Sequence, residues 1–231
     1  ACNSITVRDS IEVFRVCEGD FELGRISDVV EPLDRPLRIG LMVDSPLDTP
    51  VATETKDSIQ QTAQLCEDLG HIVTPFMYSL NMASWGDDFM LLWAFSATMG
   101  VQHIEKVTGT SPTAQLEPWT LGLLKHYKEN EAKFPETLKR LAGFKDLYEA
   151  EFSRANIDVV LSPVTAEPAT LIGEIAPSVE FEVLNDRIAA LGPFTPTHNV
   201  AGAASMSVPL GLTPSGLPVG SLFSGKYGDD E

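Results

Sequence analysis

The sequence predicts an α/β fold in which a layered, mixed β-sheet is flanked by helices. Three observations carry that expectation. Leu37 to Val43 and His71 to Pro75 read as strands on either side of a helix pattern, which makes a βαβ unit with a right-handed crossover. Met206 to Leu210 and Leu217 to Phe223 are apolar runs joined by Thr213-Pro214-Ser215-Gly216, the mark of a hairpin. Asp158 to Ser162 adds a strand after a long helical stretch.

Taken in order, Thr6 to Val16 spaces Val7, Ile11 and Phe14 as a short amphipathic helix ending before Gly19. Phe21 to Pro36 is polar and broken by Gly24, Pro32 and Pro36, so it reads as a connecting loop. Leu37 to Val43 runs apolar almost without alternation, as a strand buried on both faces does. Thr49 is expected as an N-cap with Pro50 at the first helical position. Ala52, Thr55, Ile59, Ala63 and Cys66 then form an apolar stripe that stops at Gly70. Asn81 to Val107 and Pro118 to His126 are helical and rich in large apolar groups, among them Trp85, Trp93 and Trp119. Such helices are core or wall a pocket. Glu136 to Ala155 repeats Leu138, Leu141, Phe144, Tyr148 and Phe152 at the spacing of one continuous helix.

Composition narrows the function. A chain of 231 residues buries a sizeable core as one large domain or two small ones. A formal net charge of -17 repels nucleic acid and anionic membrane surfaces, so neither is expected as a partner. The longest apolar run, Phe89 to Phe95, is too short to span a bilayer. Ala1-Cys2-Asn3-Ser4 has no basic or apolar leader character. The cysteines at 2, 17 and 66 have no CxxC spacing, which fits reduced thiols in the cytoplasm. His71, His103, His126 and His198 are isolated from one another, so no metal is expected. No GxGxxG follows the first strand, and Gly220 to Tyr227 puts tyrosine where a phosphate loop needs Ser or Thr, so neither a dinucleotide nor a phosphate-loop nucleotide is expected.

The richest stretch is the last. Phe194-Thr195, Asn199, Gly202, Ala204, Ser207-Val208-Pro209, Gly211 and Gly216-Leu217-Pro218-Val219-Gly220 occur in that order. They resemble the C-terminal signature of the amidase-signature hydrolases. Val7-Arg8-Asp9-Ser10 and Asp158-Val159-Val160-Leu161-Ser162-Pro163 through Pro168 resemble two further landmarks of that family. Lys226-Tyr227-Gly228-Asp229-Asp230-Glu231 is similar to the branch that includes 6-aminohexanoate cyclic-dimer hydrolases.

The resemblance implies the amidase-signature fold, with residues 1–231 as the C-terminal portion of one amidase domain. It implies amide hydrolysis through a serine nucleophile, a bridging serine with a cis peptide bond and a lysine base, without a cofactor. A hydroxyl is a weak nucleophile until a base takes its proton, and a lysine serves as base only when its pKa is lowered. Those residues belong to the family's N-terminal half. No Ser-Ser dipeptide occurs here, and the lone Gly-Ser pair, Gly220-Ser221, lies in the hairpin. No catalytic residue is therefore expected in this chain; the partners expected are a small amide and the N-terminal half, with a homodimer left open. Thr195, His198 and Asn199, expected in a loop before the hairpin, and Trp85 and Trp93 are the candidate substrate-binding residues. A non-catalytic binding or assembly module and an unrelated ligand-binding α/β domain stay open on the residues alone, and the resemblance leaves open the ammonia-generating amidase of tRNA amidation.

Overall fold

A computed structural model describes residues 4, 6–17, 34–82 and 84–230. Most of the expected Phe21 to Pro36 loop lies outside the described residues. The elements are α1 (Val7–Cys17), β1 (Arg38–Leu41), α2 (Thr53–Asp68), β2 (Ile72–Pro75), α3 (Trp85–Thr108), α4 (Pro118–Asn130), α5 (Phe134–Ala142), α6 (Phe144–Ala155), β3 (Val159–Pro163), α7 (Phe181–Leu191), α8 (Thr195–Ala201), β4 (Ser205–Leu212) and β5 (Pro218–Ser224).

The strands form one mixed sheet in the order β2-β1-β3-β5-β4. β1 pairs in parallel with β2 and β3, as the βαβ pattern requires, and β5 pairs antiparallel with β3 and β4. The hairpin turn is closed by Gly216 N–H to the Thr213 carbonyl at 2.9 Å and by Leu217 N–H to Thr213 Oγ1 at 3.0 Å. Its pairing shifts register between Val208 and Gly211, around Pro209, whose ring nitrogen cannot donate to a ladder. β4 is the last strand of the sheet, with Met206, Leu210 and Leu212 exposed.

Alternation along β3 divides the core. Leu161 joins Ile39, Val219 and the α2 residues Ile59, Ala63 and Cys66 in an aliphatic layer. Its neighbour Val160 joins Met42, Phe76, Tyr78, Trp85, Tyr148, Phe152 and Phe194 in a second, aromatic layer. Successive side chains of a strand point to opposite faces, so one strand feeds both layers. Asp158 fastens the start of β3 to β1 through Arg35 at 2.8 Å and Arg38 at 2.7 Å. These two guanidinium groups hold its carboxyl well below the ordinary carboxylate range.

Three local expectations are corrected. α2 begins at Thr53 behind Ala52, so Thr49 is not its cap and Pro50 is not its first residue. The Ala52 N–H instead bonds the Ala166 carbonyl at 2.9 Å, which ties the entry of the helix to the loop after β3. The stretch Glu136 to Ala155 is two helices parted at Gly143, the poorest helix former within it. α7 was not among the expected elements, although Phe181, Leu184, Ile188 and Leu191 space as a helix stripe.

Candidate functional site

His198 and Asn199 do not lie in a loop: they belong to the short helix α8. Pro196 presets φ in its first turn, Thr197 Oγ1 donates to the Phe194 carbonyl at 2.9 Å, and Gly202 ends it in a left-handed conformation. Gly202 serves twice, because a Cβ there would sit 3.2 Å from the Tyr227 ring.

α8 presents its three candidates differently. Thr195 is half-buried, Asn199 is exposed, and His198 is buried at 3% exposure. His198 Nδ1 lies 3.1 Å from the Tyr148 hydroxyl of α6, which also lies 3.1 Å from the Gly225 carbonyl beyond β5. The His198 carbonyl accepts from Ala203 N–H at 3.0 Å, while across the end of the hairpin Gly225 N–H donates to the Ala204 carbonyl at 2.8 Å and Ala204 N–H to the Lys226 carbonyl at 3.2 Å. Helix, hairpin end and α6 are thus locked at one point. Burial lowers the imidazole to about 4 and pushes the Tyr148 phenol well above its usual value, so both are neutral at neutral pH.

The segment after β5 folds over this point. Lys226 N–H bonds Asp229 at 3.1 Å, and Lys145 of α6 stands 3.6 Å over the Tyr227 ring. Lys226 pairs through Nζ with Asp229 at 3.8 Å.

The tryptophans differ in burial. Trp85 is 5% exposed, wedged between Phe89 and Phe144 in the aromatic layer that also holds Tyr148 and Phe194. Trp93, at 37% exposure, meets Phe89 at 6.0 Å and so joins that layer to an outer array, in which its ring meets Trp119 at 5.5 Å and Trp119 meets Phe181 at 5.0 Å. Gly122 makes that array fit, since a Cβ there would fall 2.1 Å from the Phe181 ring. The loop after β3 contributes an open hollow of about 350 Å³ lined by Thr165, Leu171, Ile172, Ile175, Ala176 and Leu191. Among the described residues, no three His, Cys, Asp or Glu side chains converge to hold a metal, and no helix is long and apolar enough to cross a membrane.

Sequence reasoning missed Tyr148 and Phe181. Tyr148 sits in an apolar stripe in which its ring reads as core, and nothing local marks its hydroxyl. Phe181 opens the helix that the sequence expectations omitted.

The comparisons with known proteins agree with this architecture. The amidase family model matches residues 4–231. A Mycobacterium tuberculosis protein named as an amidase, AmiC, is 32% identical over 227 residues, covering 96% of this chain and 47% of its own. One component of the Bdellovibrio bacteriovorus glutamyl-tRNA(Gln) amidotransferase is 48% identical over 71 residues, 30% of this chain and 13% of its own. The solved structure of 6-aminohexanoate cyclic dimer hydrolase superposes with a TM-score of 0.74 over 86% of this chain and 43% of that one, at 19% identity, which speaks for the fold alone. The chain spans about half the length of the curated relatives it matches.

Proposed function

The chain belongs to the amidase-signature family, and from that premise we propose that it is the C-terminal portion of an enzyme hydrolysing a small linear or cyclic carboxamide. The observation that carries the reading is the family match from residue 4 to residue 231. In this reading the nucleophile, the bridging serine and the lysine come from the companion N-terminal half, and this chain supplies scaffold and part of the substrate pocket. Hydrolysis then proceeds by acyl transfer to the serine, with an oxyanion stabilised by preorganised donors. None of the described residues performs those steps.

In this reading Thr195, His198 and Asn199 of α8, which is fastened to α6 and the end of the hairpin, belong to the substrate side. Trp93 with Trp119 and Phe181 forms an apolar wall suited to an alkyl or aryl group. Trp85 packs between Phe89 and Phe144 within the core, so it has a structural part in this reading. The dispersed cysteines keep the cytoplasm as the location in this reading.

The test uses the full-length protein on a panel of aryl, alkyl and cyclic amides, with release of amine or ammonia as the readout. Turnover should be accompanied by hydroxamate formation when hydroxylamine is added, because an acyl-enzyme partitions to the better nucleophile. A serine-directed fluorophosphonate should label a site outside residues 1–231. No turnover of any amide sinks the reading, and a label inside this chain sinks the division of labour.

The local identity to an amidotransferase component favours one second reading, an amidase that passes ammonia to a partner. It requires ammonia release from glutamine to rise when a partner protein and tRNA are added. The net charge of -17 leaves any RNA contact to that partner.

A further inference from the structure

α3 is buried along one side only. Asp88, Leu91, Ala94 and Thr98 are buried, while every residue from Gln102 to Thr108, the last two turns, is exposed. The outer side is apolar. Trp93, Ala97, Gly100, Ile104 and Val107 recur at alternating steps of four and three, which aligns them on one helix face about 21 Å long. Trp93 is 37%, Ile104 46% and Val107 70% exposed. The four charged residues of α3, Asp87, Asp88, Glu105 and Lys106, all stand about a third of a turn or more away from that line. An uncharged, apolar face of this length on a chain that is 21% charged is a surface meant to be covered.

Gly100 marks where the covering element sits. Glycine is a poor helix former, and this one stands in a helix interior. Gly122 is required by the Phe181 ring, but among the described residues nothing lies within 4 Å of a Cβ placed on Gly100. Close backbone approach by another helix supplies the reason that this chain does not.

The side chains around Gly100 identify that helix. One turn before it stand the small Ser96 and Ala97, and one turn after it the large His103 and Ile104. A two-fold axis at Gly100 sets 96 against 104, 97 against 103 and 93 against 107. Each small group then meets a large one, and the two glycines meet each other. A face complementary to itself in reverse fits a second copy of the chain, because an isologous contact brings each residue opposite its own counterpart's partner. An unrelated surface would have no cause to mirror the order.

We propose that α3 is the seam of a homodimer, crossing its equivalent antiparallel at Gly100. In that dimer Val107 of the partner subunit lies beside Trp93 and closes the outer side of the wall made with Trp119 and Phe181. This contribution to the pocket rests on the amidase reading; the assembly does not.

Sedimentation equilibrium of the full-length protein should give the mass of two chains at micromolar concentration, and Gly100→Leu the mass of one. Leucine is the better helix former and its Cβ meets no atom of its own chain there, so this variant should keep the circular dichroism of wild type. Gly100→Cys should join two chains through a disulfide on mild oxidation, whereas Glu105→Cys, on the far side of the helix, should not. A mixture of Ser96→Cys and Ile104→Cys should cross-link where neither does so alone. A wild-type protein that stays single at every concentration overturns the proposal. So does a dimer that Gly100→Leu leaves intact, or one in which Ser96→Cys cross-links by itself. A companion half packed over α3 would show as a single chain whose Tm falls in Gly100→Leu, which also overturns it. None of these readouts uses amide turnover, so they decide the seam whether or not the amidase reading survives.

Discussion

The two faces of the sheet are built from different materials. Against α2 lie short aliphatic side chains and hydroxyls, with Thr62 and Ser221 bonded at 2.8 Å and Ser58 fitted against Gly211. Against α3, α6 and α8 lie rings, and the polar atoms among them belong to long side chains such as Tyr148, His198 and Glu151. A layer of small groups sets a fixed distance between helix and sheet and offers little chemistry. A layer of rings with polar tips holds directional groups at defined angles. The candidate site grows out of the second face.

The sharpest way to break that contrast is to delete volume on both sides. Phe152→Ala, removing a fully buried ring, should cost about 4 kcal/mol, whereas Ile59→Val on the α2 face should cost about 1 kcal/mol. Urea unfolding measures both, and a reversed order would end the comparison.

Acid should next strike the aromatic face. His198 titrates near 4 when folded and near its ordinary value when unfolded, so between about pH 6.5 and 4 the unfolded chain binds a proton that the folded one refuses. Stability is complete above that window and falls as pH drops through it, by roughly 3 kcal/mol at the lower end. Tyr148 stays neutral throughout. Asp158, held low by Arg35 and Arg38, is lost only below the ordinary carboxylate range. In the pH dependence of Tm of His198→Asn, the loss between pH 6.5 and 4 should shrink to the part that Glu151 and Asp88, whose carboxyls are held low by Arg154 and Arg140, begin to give up below about pH 5.

A smaller effect belongs to the α4–α7 seam. Gly122→Ala must displace the Phe181 ring and should cost about 2 kcal/mol, with Phe181→Leu in the same chain recovering part of it. A double variant no better than the single one would show that the ring is not the obstacle. The smallest expected change in stability is that of Trp93→Ala, about 1 kcal/mol at its partly exposed position. Its ratio of kcat/KM for aryl over alkyl amides should nevertheless fall; an unchanged ratio removes the array from the pocket.

Much of this architecture was legible because the signals are local and repeated. The run Leu37 to Val43, the stripe from Thr55 to Cys66 and the Thr213–Gly216 turn each state their own geometry, and together they require a mixed sheet. What stayed hidden depends on distant partners. The start of α2 is set by a bond from Ala52 to Ala166, more than a hundred residues away, so Thr49-Pro50 misleads. α8 is too short for periodicity and is held by its caps and neighbours. Of the candidate residues, only the nearness of Thr195, His198 and Asn199 was legible: they share one element, while Trp93 stands on α3. The partner of His198 was invisible, because the Tyr148 hydroxyl acquires a role only once α6, α8 and Gly225 converge.

The exposed strand β4 has a consequence for anyone preparing this chain by itself. Its outer backbone N–H and C=O groups, flanked by Met206, Leu210 and Leu212, form a template onto which another copy adds as a strand. Concentrated stocks of residues 1–231 should therefore thicken into β-rich assemblies, and a lysine in place of Leu212 should delay them.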